Sequence, residues 1–441
     1  MINKRIIDIL QSARKTISRI NLITIILLAL VLRVVWLLYT QPIPVSDFEE
    51  YRQLAFNLLS YHQFGYPAPT AYRLPGYPIF LALFSSISRS NLWLGFINVL
   101  LSTLIVYLVY LLAIRLTSNQ SIGLGASFIA AVYPILVFFS PILASEHLFT
   151  VFVYSGLLLL LSEANRKKRY LTLTLAGVLF GIATLTRGEA IYYVPVIAIL
   201  GFLPYVKEIG PEVSRSFTTR IASLLLLFLA WGVMLVPWYL RNQVVIGRGA
   251  GLSTSGGIMF YYGHHDETRA WQGLLSVENL GSGEVERSAT AFQKGLNYIF
   301  TTPFLVQAQD KIIESLRLYA PNAYPVFWSA ALPGATDGKF QQKNLPGKAI
   351  FNFLAIAGYL VVGAMALLSL LFIKSYPTRL WITILGFAFL NLVGYAILFA
   401  ATSRYRYTIE GFLCILAACF IHQIYRLVAQ RKSFLASINR E

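Results

Sequence analysis

Residues 21–40 read NLITIILLALVLRVVWLLYT, and the chain continues QPIPVSDFEE to residue 50. Twenty mostly apolar residues match the thickness of a bilayer's hydrocarbon core, which takes about 20 helical residues to cross. A run this long exceeds the apolar core of a cleavable signal, so it is expected to stay as an anchor. Lys4, Arg5, Arg14, Lys15 and Arg19 precede it. Basic residues at that end put the N-terminus in the cytoplasm. The acids after the run, Asp47, Glu49 and Glu50, then emerge on the far face.

The rest of the chain repeats this pattern. Of its 441 residues, 57% are hydrophobic and 12% charged, with mean hydropathy +0.64. Soluble chains are about 25% charged, so lipid is the expected solvent. Further apolar runs fall near 92–116, 120–140, 145–162, 171–187, 189–205, 221–240, 349–373, 378–401 and 406–427. The sequence therefore predicts an all-α polytopic protein with about ten transmembrane helices. The net charge of +17 would suggest nucleic acid in a soluble protein. Here the basic residues collect between apolar runs. Residues 166–169 (RKKR), Lys207, Arg215, Arg220, Lys374, Arg379, Arg426, Arg431, Lys432 and Arg440 all fall on the cytoplasmic side of that count. This is topology, not nucleic-acid binding. Cys414 and Cys419 lie in the last run, off a shared helix face, and read as apolar fillers.

Three regions follow from this count. Residues 1–240 form an N-terminal membrane module whose first outer loop spans 41–91. Residues 241–348 form an extracytoplasmic region. Residues 349–441 hold the last spans and a cytoplasmic tail. In the first loop, 48–59 has helical periodicity, and 77–87 is apolar but too short to cross. Both are expected as interfacial helices. A third amphipathic helix is expected at 303–318. No internal repeat is visible, which weakens a transporter reading.

Ionisable residues gather at the outer helix ends. They are Asp47, Glu49, Glu50, Glu146, Arg187, Glu189, Arg241, Arg404 and Arg406, with Glu410 one turn further in. Arginines on that side run against the positive-inside trend. An anionic ligand such as a phosphate explains them, since Arg binds phosphate bidentately. The alternative is structural: such groups snorkel, or pair with each other as Arg187 and Glu189 can. Asp47 beside apolar helices suits a general base. It equally suits a helix N-terminus, with Ser46 or Asp47 as cap. Arg73, before Leu-Pro-Gly-Tyr-Pro, lies at headgroup level and suits a lipid phosphate or, nonspecifically, any anionic headgroup. His264, His265, Asp266 and Glu267 form a dense polar cluster, but adjacent histidines are a weak metal signal. No phosphate-loop or dinucleotide fingerprint occurs. The sequence names no cofactor and leaves a divalent metal open.

Seven segments, in order, carry a family resemblance. They are SDFEEYRQLAFNLL (46–59), AYRLPGYPIFLALF (71–84), SEHLF (145–149), LTRGEAIYYVP (185–195), VPWYLRNQVVIG (236–247), STSGGIMFYYGHHDE (253–267) and SRYRYTIEGFL (403–413). Together they resemble bacterial GT-C glycosyltransferases of the dolichyl-phosphate-mannose–protein mannosyltransferase type, glycosyltransferase family 39-like, a group that includes the aminoarabinose transferase acting on lipid A. The resemblance implies a GT-C fold in the cell (inner) membrane, with both termini cytoplasmic and an extracytoplasmic site. It implies inverting transfer of a sugar from a polyprenyl-phosphate donor to a hydroxyl-bearing glycan, lipid or protein acceptor. It makes Asp47 the base, with Glu49 or Glu50 as second acid because Phe48 separates them from Asp47. It places Tyr72, Arg73, Arg241 and Arg404 or Arg406 at the donor phosphate. Glu146, Arg187, Glu189 and His264 are further site candidates. The rival functions are a transporter or flippase of lipid-linked sugars, and a lipid-linked glycan polymerase or ligase.

Overall fold

The computed structural model describes residues 21–162, 166–195, 217–265, 280–336 and 339–438. Seven helices among them are long and apolar enough to cross a membrane: Leu22–Thr40, Asn91–Thr117, Arg169–Thr186, Ile221–Val245, Lys348–Ser375, Thr378–Leu398 and Ser403–Arg431. The other three predicted crossings differ in form. The 120–140 run divides into Gln120–Val132 and Pro134–Phe139, because Pro134 has no N–H and pushes Tyr133 into extended backbone. Ser145–Leu160 has 16 residues. The 189–205 run falls largely outside the described residues, as do residues 1–20, Lys207, Arg215, Asp266, Glu267 and Arg440.

The first span shows how polarity is arranged. Asn21 caps it, its side chain accepting from the Thr24 amide at 2.9 Å. Ile23, Leu27, Val31, Val35 and Leu38 recur about every four residues and point outward, as a lipid-facing stripe must. Arg33, on the opposite side, is fully buried. Its guanidinium donates to the carbonyls of Ala29, Ala130 and Ala131 and to Ser102 Oγ at 2.9–3.1 Å. The Ala130 carbonyl is the one that Pro134 cannot serve, so the arginine repairs the break. Elsewhere, Gly177 and Gly181 bring Arg169–Thr186 against Ile221–Val245. A Cβ at Gly177 would lie 2.5 Å from the Leu227 carbonyl oxygen, and one at Gly181 2.5 Å from Met234 Cβ. Small residues four apart permit such close helix approach within a bilayer.

The two helices expected in the first loop form at Asp47–Tyr61 and Gly76–Ser85 and pack on one another. The second loop supplies Ser255–Gly263, Glu284–Thr301 and Phe304–Tyr319, then Tyr324–Ala330. A two-stranded antiparallel hairpin, Ala331–Thr336 with Lys339–Gln342, follows. These elements gather at one end of the bundle. The first span and Arg169–Thr186 finish there, and Ser403–Arg431 begins there.

Candidate active site

A tight turn introduces Asp47. The Phe48 amide closes on the Val45 carbonyl at 3.1 Å, with Ser46 at φ 54° and ψ −136°. That conformation favours glycine, and strain of this kind tends to sit beside functional groups. Asp47 then opens its helix, buried. From the far end of the chain, the short 3-10 turn Ser403–Arg406 delivers Arg404. Its Nη1 and Nη2 reach Asp47 Oδ1 and Oδ2 at 3.1 and 2.6 Å. The guanidinium is held between the rings of Phe48, Trp328 and Tyr405, at 4.9–5.7 Å. Burial acts to raise the Asp47 pKa. Arg404, aided by Arg73 and Arg187, outweighs it and holds the carboxyl below its ordinary value.

The pair continues into a chain of alternating charge. Arg404 Nε lies 3.0 Å from Glu146 Oε1, and Arg187 Nη1 lies 2.9 Å from the same oxygen. Arg187 also contacts Glu189 at 2.5 Å, Ser145 Oγ at 3.1 Å and Tyr395 Oη at 2.9 Å. The Tyr395 hydroxyl in turn donates to Glu189. Glu146 is thus a buried hub that orients two arginines. Arg73 pairs with Glu50 at 2.7 Å and lies over the Tyr72 and Tyr51 rings at 5.0 and 5.5 Å.

These groups surround a cavity of about 380 Å³, into which Asp47, Tyr72, Arg73, Arg187, Glu189 and Arg404 project. Asp47 beside three convergent guanidinium groups, with Glu189 held by Arg187, can receive a proton next to a place for a phosphate.

The remaining candidates lie elsewhere. Glu49 turns to Arg52, at 2.7 Å. Glu50 reaches the site only through Arg73. Arg241 donates to the Thr70 and Phe64 carbonyls at 2.7 and 3.0 Å and sits over Trp238, so it braces the first loop. Glu284 joins it there, accepting from Thr70 Oγ1 and the Ala71 amide, both at 2.8 Å. Arg406 is enclosed with Glu410 at 2.8 Å. His264 stacks on Phe260 at 4.3 Å. Burial, then the nearby Lys311 charge, lowers its pKa to about 4, leaving it neutral. Among the described residues no group of three or more His, Cys, Asp or Glu side chains could hold a metal. Residues the sequence reading passed over include Tyr51, Ser253, Ser255, Tyr395 and Tyr405, all at the cavity. Tyr395 was hidden in an apolar run. A tyrosine near the end of such a run was the available signal, because its hydroxyl needs a partner.

Residues 69–239 match the family model described as dolichyl-phosphate-mannose-protein mannosyltransferase. The match covers less than half of the chain. The matched segment includes Tyr72, Arg73, Glu146, Arg187 and Glu189, while Asp47 and Arg404 flank it. The whole chain also resembles solved structures in fold. Against the oligosaccharyltransferase of Archaeoglobus fulgidus in the apo form, the TM-score is 0.54 at 15% identity. Against the archaeal oligosaccharyltransferase AglB from the same organism, in complex with an inhibitory peptide and a dolichol-phosphate, it is 0.55 at 14% identity. Each likeness covers 94% of this chain and 51% of the other, so the chain spans about half the length of those enzymes. A weaker likeness, TM-score 0.40 at 12% identity, covers 91% of this chain and 76% of ArnT from Cupriavidus metallidurans bound to undecaprenyl phosphate. No curated protein sequence matches. The segment similar to that family model therefore sits in a helical membrane protein whose fold resembles that of those archaeal oligosaccharyltransferases.

Proposed function

We propose that this protein is an inverting glycosyltransferase that moves a sugar from a polyprenyl-phosphate donor to a hydroxyl acceptor on the outer face of the membrane. The observation that carries this reading is the convergence of Asp47, Arg73, Arg187 and Arg404 on one cavity at one end of the bundle. The family match and the dolichol-phosphate named in the AglB complex support a lipid-phosphate donor.

The chemistry follows from the charges. The acceptor oxygen attacks the anomeric carbon from the face opposite the phosphate. The C–O bond to the phosphate breaks, and its electron pair leaves on the phosphate oxygen. The acceptor proton passes to Asp47. Guanidinium groups already fixed in place stabilise the charge growing on the leaving oxygen better than water does. Arg404 serves two partners in turn: it covers Asp47 before substrate arrives, and an incoming phosphate draws it off, exposing the carboxylate. Arg73 and Arg187 receive the phosphate from either side, and Glu146 keeps Arg187 and Arg404 aimed.

The test is donor consumption by the purified protein in detergent, with a polyprenyl-phospho-sugar and a hydroxyl acceptor. The expected result is release of polyprenyl phosphate and a product of inverted anomeric configuration. A protein that moves the donor between vesicle leaflets but never consumes it is a flippase, and that result rejects the enzyme.

A further inference from the structure

Two adjacent helices of the second outer segment have opposite polarity. Over its middle turns Glu284–Thr301 is conventional: it buries Ala291, Gly295 and Tyr298 and exposes Gln293, Lys294 and Asn297, although Phe292 and, at its end beside the next helix, Phe300 are also exposed. Phe304–Tyr319 is inverted. Its outward face carries Leu305 (79% exposed), Ile312 (61%) and Leu316 (67%), continued at its start by Phe304 (79%). The spacing of seven and then four residues puts the first three on one stripe. Its inward face is charged. Glu314 is 1% exposed, and its Oε2 accepts from the Ala401 amide at 2.7 Å. Lys311 Nζ donates to the Gly263 carbonyl, and Asp310 accepts from the Tyr298 hydroxyl.

A helix that buries Glu314 and turns Leu305, Ile312 and Leu316 outward, with Gln309 the exposed polar residue among them, is badly arranged for water and well arranged for lipid. At 16 residues it is about 24 Å long, too short to cross a core of about 30 Å. It packs against Val393–Leu398, the last turns of the span Thr378–Leu398. Phe389, Ile397 and Leu398 on that span also point outward, so the apolar stripe continues a surface that already faces lipid.

We propose that the outward face of Phe304–Tyr319 is a membrane-binding surface, seated in the acyl-chain boundary of the leaflet nearest the cavity. The occupant is bilayer lipid. The polar face then has a reason: it hangs two walls of the cavity from a lipid-anchored helix. Gly263 ends the helix that carries Ser255, Gly256 and Met259, and Ala401 follows the wall residue Ala400.

The full chain tests this without any substrate. In a background with Cys414 and Cys419 replaced by Ala, Leu305→Cys and Ile312→Cys are each labelled with an environment-sensitive fluorophore and reconstituted in phosphatidylcholine–phosphatidylglycerol vesicles. Lys294→Cys, on the conventional helix, is the control. The labels at 305 and 312 should be quenched several-fold more strongly by acyl-chain spin-labelled lipid than the control, and be shielded from aqueous iodide. Equal iodide quenching at all three positions overturns the proposal. So does shielding that disappears on dilution with excess lipid, because a second copy of the chain then covers the face.

Discussion

Arg404 and Arg406 stand two residues apart, and each grips a carboxylate in a buried pocket. Arg404 holds Asp47, 357 positions away, with both nitrogens of its fork. Arg406 holds Glu410 one turn along its own helix, at 2.8 Å. The contacts are alike and the surroundings are not. The Asp47 pair borders a cavity large enough for a ligand headgroup. The Glu410 pair is closed on every side. Arg406 also donates to the Leu318 and Ala320 carbonyls at 2.9 and 2.7 Å, and Glu410 accepts from Tyr133 at 2.7 Å. Arg406 therefore secures the end of Phe304–Tyr319, satisfying carbonyls that a helix terminus leaves open. Access separates the two pairs, not residue type: one set of charges can be redirected by a substrate, the other is spent on structure.

The largest effect expected on the structural side is that of Arg406→Met. Leaving Glu410 buried and unpaired should cost about 3–5 kcal/mol, read as thermal unfolding in detergent. Adding Glu410→Leu should restore much of that loss, since an apolar replacement for a whole buried pair is often tolerated. Recovery of stability without recovery of packing around Tyr133 and Tyr324 would blur the contrast. On the cavity side, Arg73→Ala removes a charge-assisted contact of about 1.5–3 kcal/mol. The apparent KM for donor should rise by about 10- to 150-fold, a ratio read directly from initial rates. An unchanged KM removes Arg73 from the phosphate site. Glu284→Ala should act more gently, because it only frees the loop that carries Arg73. About 1 kcal/mol is at stake, seen as a few-fold rise in donor KM with kcat retained. Loss of kcat alone would contradict a purely positional role.

The smallest effect is on pH dependence. The Asp47 carboxyl lies below its ordinary value, so its ionised form stabilises the fold. A depressed carboxylate contributes fully above the unfolded value, about 3.9, and loses that contribution as pH falls through the folded value. The thermal stability gap between the protein and Asp47→Asn should therefore narrow on acidification below about pH 4. A gap that widens there reverses the sign.

Much of this was legible before the structure. Hydropathy sets the helical membrane class, and most of the charges read at helix ends gather at one end of the bundle. Asp47, Tyr72, Arg73, Arg187, Glu189 and Arg404 were named from the sequence and meet at one cavity. What periodicity could not supply was direction. Arg404 and Arg406 look equivalent in SRYRYTIEGFL, yet a short 3-10 turn sends them to opposite sides. Arg241 and His264 have the right chemistry but are engaged by backbone carbonyls, which no spacing reveals. Tyr395 and Tyr405 disappear into apolar context, since an aromatic ring with one hydroxyl reads as a lipid-facing residue until its partner is seen. The same blindness hid the inverted helix: amphipathicity identifies two faces but not which one meets water.

The central claim is that Asp47, unlike Glu410, performs chemistry. Its most direct test is the rate of sugar transfer by Asp47→Asn, measured beside its thermal unfolding temperature in the same detergent. Loss of a general base should lower transfer by about 10²–10⁴-fold in a protein that still folds and still binds polyprenyl phosphate. Transfer at the rate of the unaltered protein would show that the carboxylate facing Arg404 is, like its neighbour's, structural.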